Sequence, residues 1–206
     1  MQTKPYNLFV IGVGGQGVIR AIQILSWAAM RQGFKVRTAE THGMAQRGGS
    51  VSSYFRFGTD VEGPLIPRGY ADTIVAFEAS EAVRYFNFAG PETTFLVNDL
   101  ILIPPMINQI EMDYPSIEEI HVFLKNVSNE IYFINADKIA SDCGDPRVVN
   151  VIMLGTLLGL GKLPLEREKI EEAIAEFVPK KAYEINKKAF QMGFEYGIKK
   201  GDGTYE

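Results

Sequence analysis

Cysteine is all but missing from this chain: Cys143 is the only one in 206 residues. No disulfide can close within the chain, and its own thiolates cannot hold an iron–sulfur cluster. Such sparing use of cysteine leads us to expect a cytoplasmic protein. Histidine is nearly as scarce, with only His42 and His121. No His/Cys cluster has metal-ligand spacing, so no metal site is expected. There is no GxSxG elbow, and Cys143 has no histidine near it in sequence. No catalytic residue is therefore assigned to the chain. Positive charge is not in excess either. Lys and Arg number 21 against 25 Asp and Glu, a net charge of -4, which argues against a nucleic-acid binder. Long hydrophobic runs are absent as well. The longest apolar stretch, Val148 to Leu160, is broken by Asn150, Gly155, Thr156 and Gly159. It is too short for a membrane span and reads as a buried helix. The opening residues Met1 to Tyr6 are too polar for a signal peptide. Gly201-Asp202-Gly203 matches only the start of a thiamine diphosphate motif, with no room for the downstream Asn, and is set aside.

What is present is a chain with 46% hydrophobic residues, enough for one sizeable α/β domain over 1–206 with a helical C-terminal segment, 147–200. Its most informative stretch is Gly12-Val13-Gly14-Gly15-Gln16-Gly17. The apolar run Asn7 to Ile11 precedes it, and Val18 to Met30 reads as a helix after it. Strand, glycine turn and helix in that order make an anion pocket, because glycines let backbone approach closely and the helix start offers free N–H groups. The bland alternative is a tight turn whose glycines only let the helix pack close.

Lys35 to Ala39 reads as a second strand ending at Glu40, which completes a βαβ opening and predicts a parallel sheet. Glu40 lies 23 residues after Gly17, close to the offset of a ribose-binding acid in an NAD site. A second polar, glycine-rich segment follows, from Thr41 to Gly49. His42 and Arg47 supply donors suited to phosphate or carboxylate, Gln46 adds an amide, and Gly48-Gly49 permits close approach. The same residues could equally form a loop whose arginine pairs locally. Further strands are predicted at Ser50–Phe57, Thr73–Phe77, Thr94–Val97 and Ile131–Ile134. A helix is predicted over Glu78–Phe86, and another runs from a Ser116/Glu119 capping box to Lys125. Helices over Glu166–Val178 and Lys181–Gly197 close the pattern, the latter with an apolar stripe through Ala182, Ile185, Ala189, Met192 and Tyr196. The expected fold is α/β: a Rossmann-like, parallel-dominated sheet with flanking helices and a helical C-terminal part.

The glycine turn, together with Glu40-Thr41-His42-Gly43-Met44-Ala45-Gln46-Arg47-Gly48-Gly49-Ser50-Val51, resembles the gamma-type subunit of 2-oxoacid:ferredoxin oxidoreductases. The His-Gly-Met-Ala-Gln-Arg-Gly-Gly form is most similar to the beta subunit of the indolepyruvate type, and Asn150 to Gly155 matches again. The resemblance implies that a large partner subunit carries thiamine diphosphate and the iron–sulfur clusters and passes electrons to ferredoxin. This chain would bind no cofactor alone. It would help wall the active site, and coenzyme A could lie at the shared site. Gly12, Gly14, Gly15, Gln16 and Gly17 would then form an anion or interface loop, with His42, Gln46, Arg47, Gly48 and Gly49 facing the partner or CoA. A stand-alone NAD- or nucleotide-binding protein is the alternative.

Overall fold

A computed structural model describes residues 4–42, 48–103 and 114–202. Its centre is a six-stranded sheet in the order β2-β3-β1-β4-β5-β6. The strands are β1 (Tyr6–Val13), β2 (Lys35–His42), β3 (Ser50–Gly58), β4 (Ala71–Ala76), β5 (Ala89–Asn98) and β6 (Glu130–Ile134). β1, β4, β5 and β6 pair in parallel, while β3 runs antiparallel to both β1 and β2. All strands but β3 therefore share one direction. The expected α/β class and the parallel-dominated sheet are observed.

The βαβ opening forms, but its strands are not neighbours. α1 (Val18–Arg31) carries the chain from β1 to β2, and β3 then folds back between them. Local periodicity identifies each strand and is silent on which strand fills the gap.

Helices cover both faces. Leu8 and Val10 point to one side of β1, and Phe9 and Ile11 to the other. This near-continuous apolar strand suits a sheet buried on both faces. One face packs α1, α4 (Ala136–Cys143), α5 (Val149–Gly159), α6 (Arg167–Phe177) and α7 (Tyr183–Gly201). The other packs α2 (Ala79–Arg84) and α3 (Ile117–Lys125). The capping box at α3 forms as its sequence requires, with Ser116 and Glu119 bonding each other's backbone N–H. That exchange also holds the Glu119 carboxyl below its ordinary value. α4 lies outside the predicted elements, since its eight residues are too few to show a clear apolar period; Asn135 caps it by accepting from the Lys138 N–H at 2.8 Å.

α5 is buried along nearly its whole length, from Val149 to Leu157, as a helix apolar on every side must be. α7 lies against it. The apolar stripe read from the α7 sequence is only partly the contact face. Ala189, Phe190, Gly193 and Gly197 are buried there, while Ile185, Met192 and Tyr196 sit at the rim. Glycine, invisible to an apolar stripe, makes the contact instead. An added Cβ at Gly193 would fall on the carbonyl oxygen of Ile152, and one at Gly155 on that of Phe190. His121 on α3 packs edge-on against Phe133, ring centroids 5.1 Å apart, a structural role. Among the described residues no helix is long and apolar enough to cross a membrane.

Candidate functional site

The ends of β1, β2, β4, β5 and β6 lie along one edge of the sheet, where open α/β folds bind ligands. Gly12 to Gly17 leaves β1 at this edge. The β1–β3 register pairs Gly12 with Val51 and Val13 with Ser50. The two glycine segments consequently meet. The Gly14 N–H donates to the Gly49 carbonyl at 2.8 Å. On the far side of β3, His42 pairs with Val51. The backbone of His42 thus joins the same edge, while its side chain lies outside what is described. Gln46 and Arg47 also lie outside the described residues.

Each glycine of the turn has a distinct physical reason. Gly17 starts α1 in the left-handed region, at φ 85°, where a side chain would be strained. A Cβ there would also sit 3.0 Å from the Asn150 amide nitrogen. Gly15 is likewise left-handed, at φ 105°, and a side chain there would meet nothing within 4 Å. Its backbone is open to a ligand. At Gly12 a Cβ would press on the Gln16 Oε1 at 2.7 Å.

The Gln16 side chain turns back into the motif. Its Oε1 accepts from the Val13 N–H at 2.7 Å, and its Nε2 donates to the Phe77 carbonyl at 3.0 Å. This amide ties the end of β1 to the residue after β4. Asn98 extends the tie, donating to the same Phe77 carbonyl at 3.1 Å and to Asp137 at 2.7 Å. Its Oδ1 accepts from the Ala136 N–H at 3.0 Å, so one buried amide links β4, β5 and α4.

α1 begins without a side-chain cap, and no acidic residue lies in its first turn. Its free N–H groups and positive dipole end are left for an anion. Gly15, Gln16 and Gly17 line a cleft of about 290 Å³ with Leu100, Leu102, Asp137 and Arg147. Arg147 is tied to Asp145 at 2.6 Å and the Asp137 carboxylate accepts from the Asn98 amide at 2.7 Å, which leaves the helix start as the unpaired positive pole of this cleft. Asp99, next to this cleft, has its carboxyl pushed up by burial, against the Asn135 bond and with the Asp137 charge adding to it.

Three further groups at this edge escaped sequence reasoning. Glu78 is buried and accepts from the Ser80 hydroxyl at 2.6 Å, the Glu81 N–H at 3.0 Å and the Leu102 N–H at 3.0 Å. Glu81, also buried, takes the Ser50 hydroxyl and pairs with Arg84 at 2.9 Å. It anchors the start of β3, where the glycine loop ends. Asn98 could have been suspected, since a polar residue closing an apolar strand often faces a ligand edge. Nothing local marks the glutamates, which look like ordinary helix-start acids.

The ribose role for Glu40 meets a geometric obstacle. In a dinucleotide sheet the second strand adjoins the first. Here β3 intervenes, placing β2 about 10 Å from β1 at two interstrand spacings.

The family model for pyruvate ferredoxin/flavodoxin oxidoreductase matches residues 7–196. The indolepyruvate oxidoreductase subunit IorB of Archaeoglobus fulgidus is 43% identical over 192 residues, covering 93% of this chain and 95% of the relative. Among solved structures, the gamma subunit of a keto/oxoacid ferredoxin oxidoreductase from Geobacter sulfurreducens shares the fold with a TM-score of 0.66 at 23% identity. The match covers 94% of this chain and 98% of that one. The 2-oxoglutarate:ferredoxin oxidoreductase of Magnetococcus marinus, solved with 2-oxoglutarate, coenzyme A and succinyl-CoA bound, aligns with a TM-score of 0.72 at 19% identity. That alignment covers 96% of this chain and 32% of the other.

Proposed function

We propose that this chain, which belongs to the pyruvate ferredoxin/flavodoxin oxidoreductase family, is the small subunit of a CoA-dependent 2-oxoacid:ferredoxin oxidoreductase. Its substrate is indolepyruvate or a related aryl pyruvate, a reading supported by the 43% identity to an indolepyruvate oxidoreductase subunit. Thiamine diphosphate and the iron–sulfur clusters belong to a large partner subunit, which hands electrons to ferredoxin. This chain walls the active site and completes the CoA region.

The observation that carries the proposal is the junction of the two glycine segments, closed by the Gly14 N–H on the Gly49 carbonyl at 2.8 Å. It gathers an uncapped helix start, the open backbone of Gly15, and the backbone of His42 and Gly49, which flank the segment bearing Gln46 and Arg47, at one edge. A pyrophosphate suits such an edge, because backbone N–H groups and a helix dipole hold anions without a side-chain cation. CoA offers a pyrophosphate, and its length lets the thiol end reach a centre on another subunit. Gly12 and Gln16 shape the turn from within. Gly15, Gly17, Gly48 and Gly49 give the backbone access, and Arg47 faces the CoA or the partner.

The experiment is affinity purification of the tagged chain from its native host. Recovery of a large chain containing iron and thiamine diphosphate, which binds CoA only in the complex with this subunit, supports the proposal. Recovery of the chain alone, with micromolar NAD binding lost on Glu40→Ala, refutes it.

A further inference from the structure

On the other side of Gly17 lies a larger cleft, of about 590 Å³, within the size range of small-molecule sites. The first turns of α1, α5 and α7 frame it. Arg20 comes from α1, Asn150 from α5, Asn186 from α7, and Lys181 from the link between α6 and α7. Phe177 and Ile185 give it an apolar wall.

Two features set this cleft apart from an ordinary surface groove. Arg20 and Lys181 are exposed cations, and neither has an ion-pair partner among the described residues. Arg147 at the same cleft is already committed, gripping Asp145 through Nη2 at 2.6 Å and Nε at 2.9 Å. That grip also neutralises the one carboxylate in the lining. Asn150 is the second feature. The residue is 7% exposed and lines the cleft, and its amide, not sealed from solvent, has no hydrogen-bond partner among the described residues. Asn186 differs, since it donates to the Ala182 carbonyl at 2.8 Å. An amide that lines the cleft without a protein partner, behind two free cations, is the pattern of a site suited to a polar anionic ligand.

We propose that this cleft binds a phosphomonoester. Arg20 and Lys181 hold the phosphate, the Asn150 amide bonds a polar atom of the attached organic body, and Phe177 and Ile185 cover its apolar part. The site is separate from the glycine turn and does not depend on the subunit reading. A phosphomonoester could reach it as a free small molecule or as the ribose phosphate of CoA.

The test is an NMR titration of the ¹⁵N-labelled full chain with inorganic phosphate, AMP and CoA in turn. Saturable shifts at the Asn150 side-chain amide and at the backbone of residues 20 and 181 are expected. Arg20→Gln/Lys181→Gln, a double change confined to exposed side chains, should weaken AMP binding by about tenfold or more, as expected when charge-assisted bonds are lost. Asn150→Asp should weaken it by a similar factor, because it removes the amide N–H that bonds the organic body and adds a negative charge to the cleft. Displacement of AMP by CoA at the same signals identifies CoA as the source, and AMP binding indifferent to CoA identifies a free phosphomonoester. The proposal is overturned if no probe saturates the Asn150 signal, or if the double variant binds AMP as the wild type does.

Discussion

Alanine at Gly193 sets two effects of opposite sign against each other. Glycine inside a helix costs about 1 kcal/mol relative to alanine, so helix propensity alone predicts that Gly193→Ala stabilises. Packing predicts the reverse. The new Cβ would fall on the Ile152 carbonyl oxygen and 3.0 Å from its Cα. These are backbone atoms of α5, which is buried along most of its length, so no rotamer change relieves the contact. The two helices must part. Overpacking of a filled core costs about 1–3 kcal/mol, sometimes more, and a backbone collision belongs at the upper end. Subtracting the propensity gain leaves a net loss of about 1–2 kcal/mol. In a protein of this size each kcal/mol moves Tm by about 2–4 °C, so thermal melts should show a fall of roughly 2–8 °C. Gly201→Ala is the control, since its Cβ would meet only the Leu160 Cα at 3.9 Å; its Tm should stay near the wild type. Gly155→Ala collides with α7 from the opposite side, and one separation of the helices relieves both clashes. The double variant should therefore lose less than the two singles added together. A Tm for Gly193→Ala equal to or above the wild type would refute the reasoning.

Gln16→Ala strands the Val13 N–H that Gln16 satisfies at 2.7 Å; a loss of about 1–3 kcal/mol in urea unfolding is expected, together with weaker CoA use in the assembled enzyme. Glu130 is paired with Lys162 at 2.6 Å, and the Lys162 and Thr94 bonds hold its carboxyl below the ordinary value. The stabilisation is therefore present above the unfolded glutamate value and is lost as pH falls through the folded one. Both partners are partly exposed, so Glu130→Gln should cost no more than about 1 kcal/mol at neutral pH, and the gap from the wild type should close below about pH 4 in melts across a pH series. Arg47→Ala should leave the Tm unchanged and raise the KM for CoA or weaken assembly, read by steady-state kinetics and gel filtration of the complex; no change in either would remove this residue from the site.

The strands and helices were legible wherever a periodic apolar pattern met a turn signal. β1, α1 and the capped start of α3 are of this kind. Strand order was not legible. β3 reads as a strand in isolation, but its place between β1 and β2 comes from pairing on both its edges. That insertion makes the candidate site, because it carries the Gly48-Gly49 end of the loop back to the glycine turn. It also separates Glu40 from the turn, which residue spacing along the chain could not reveal. In α7 the stripe suggested a conventional apolar seam, whereas bare backbone at Gly193 and Gly197 brings the helices together. The Asn150 segment was visible as a motif, but the lack of a partner for its amide depends on what α1 and α7 place around it. Buried Glu78 and Glu81 were hidden for the same reason: their environment is assembled from residues distant in sequence.

Division of labour between this chain and a cofactor-bearing partner is the central claim, and one measurement meets it directly. Indolepyruvate-dependent, CoA-dependent reduction of ferredoxin should be assayed with the purified chain, with the large partner alone, and with the two combined, alongside iron and thiamine diphosphate analysis of each. The account predicts no turnover and no bound iron or thiamine diphosphate in this chain alone, with full activity only in the combined sample. Turnover by this chain alone, or a large subunit whose CoA dependence and rate are unchanged by adding it, would contradict the account.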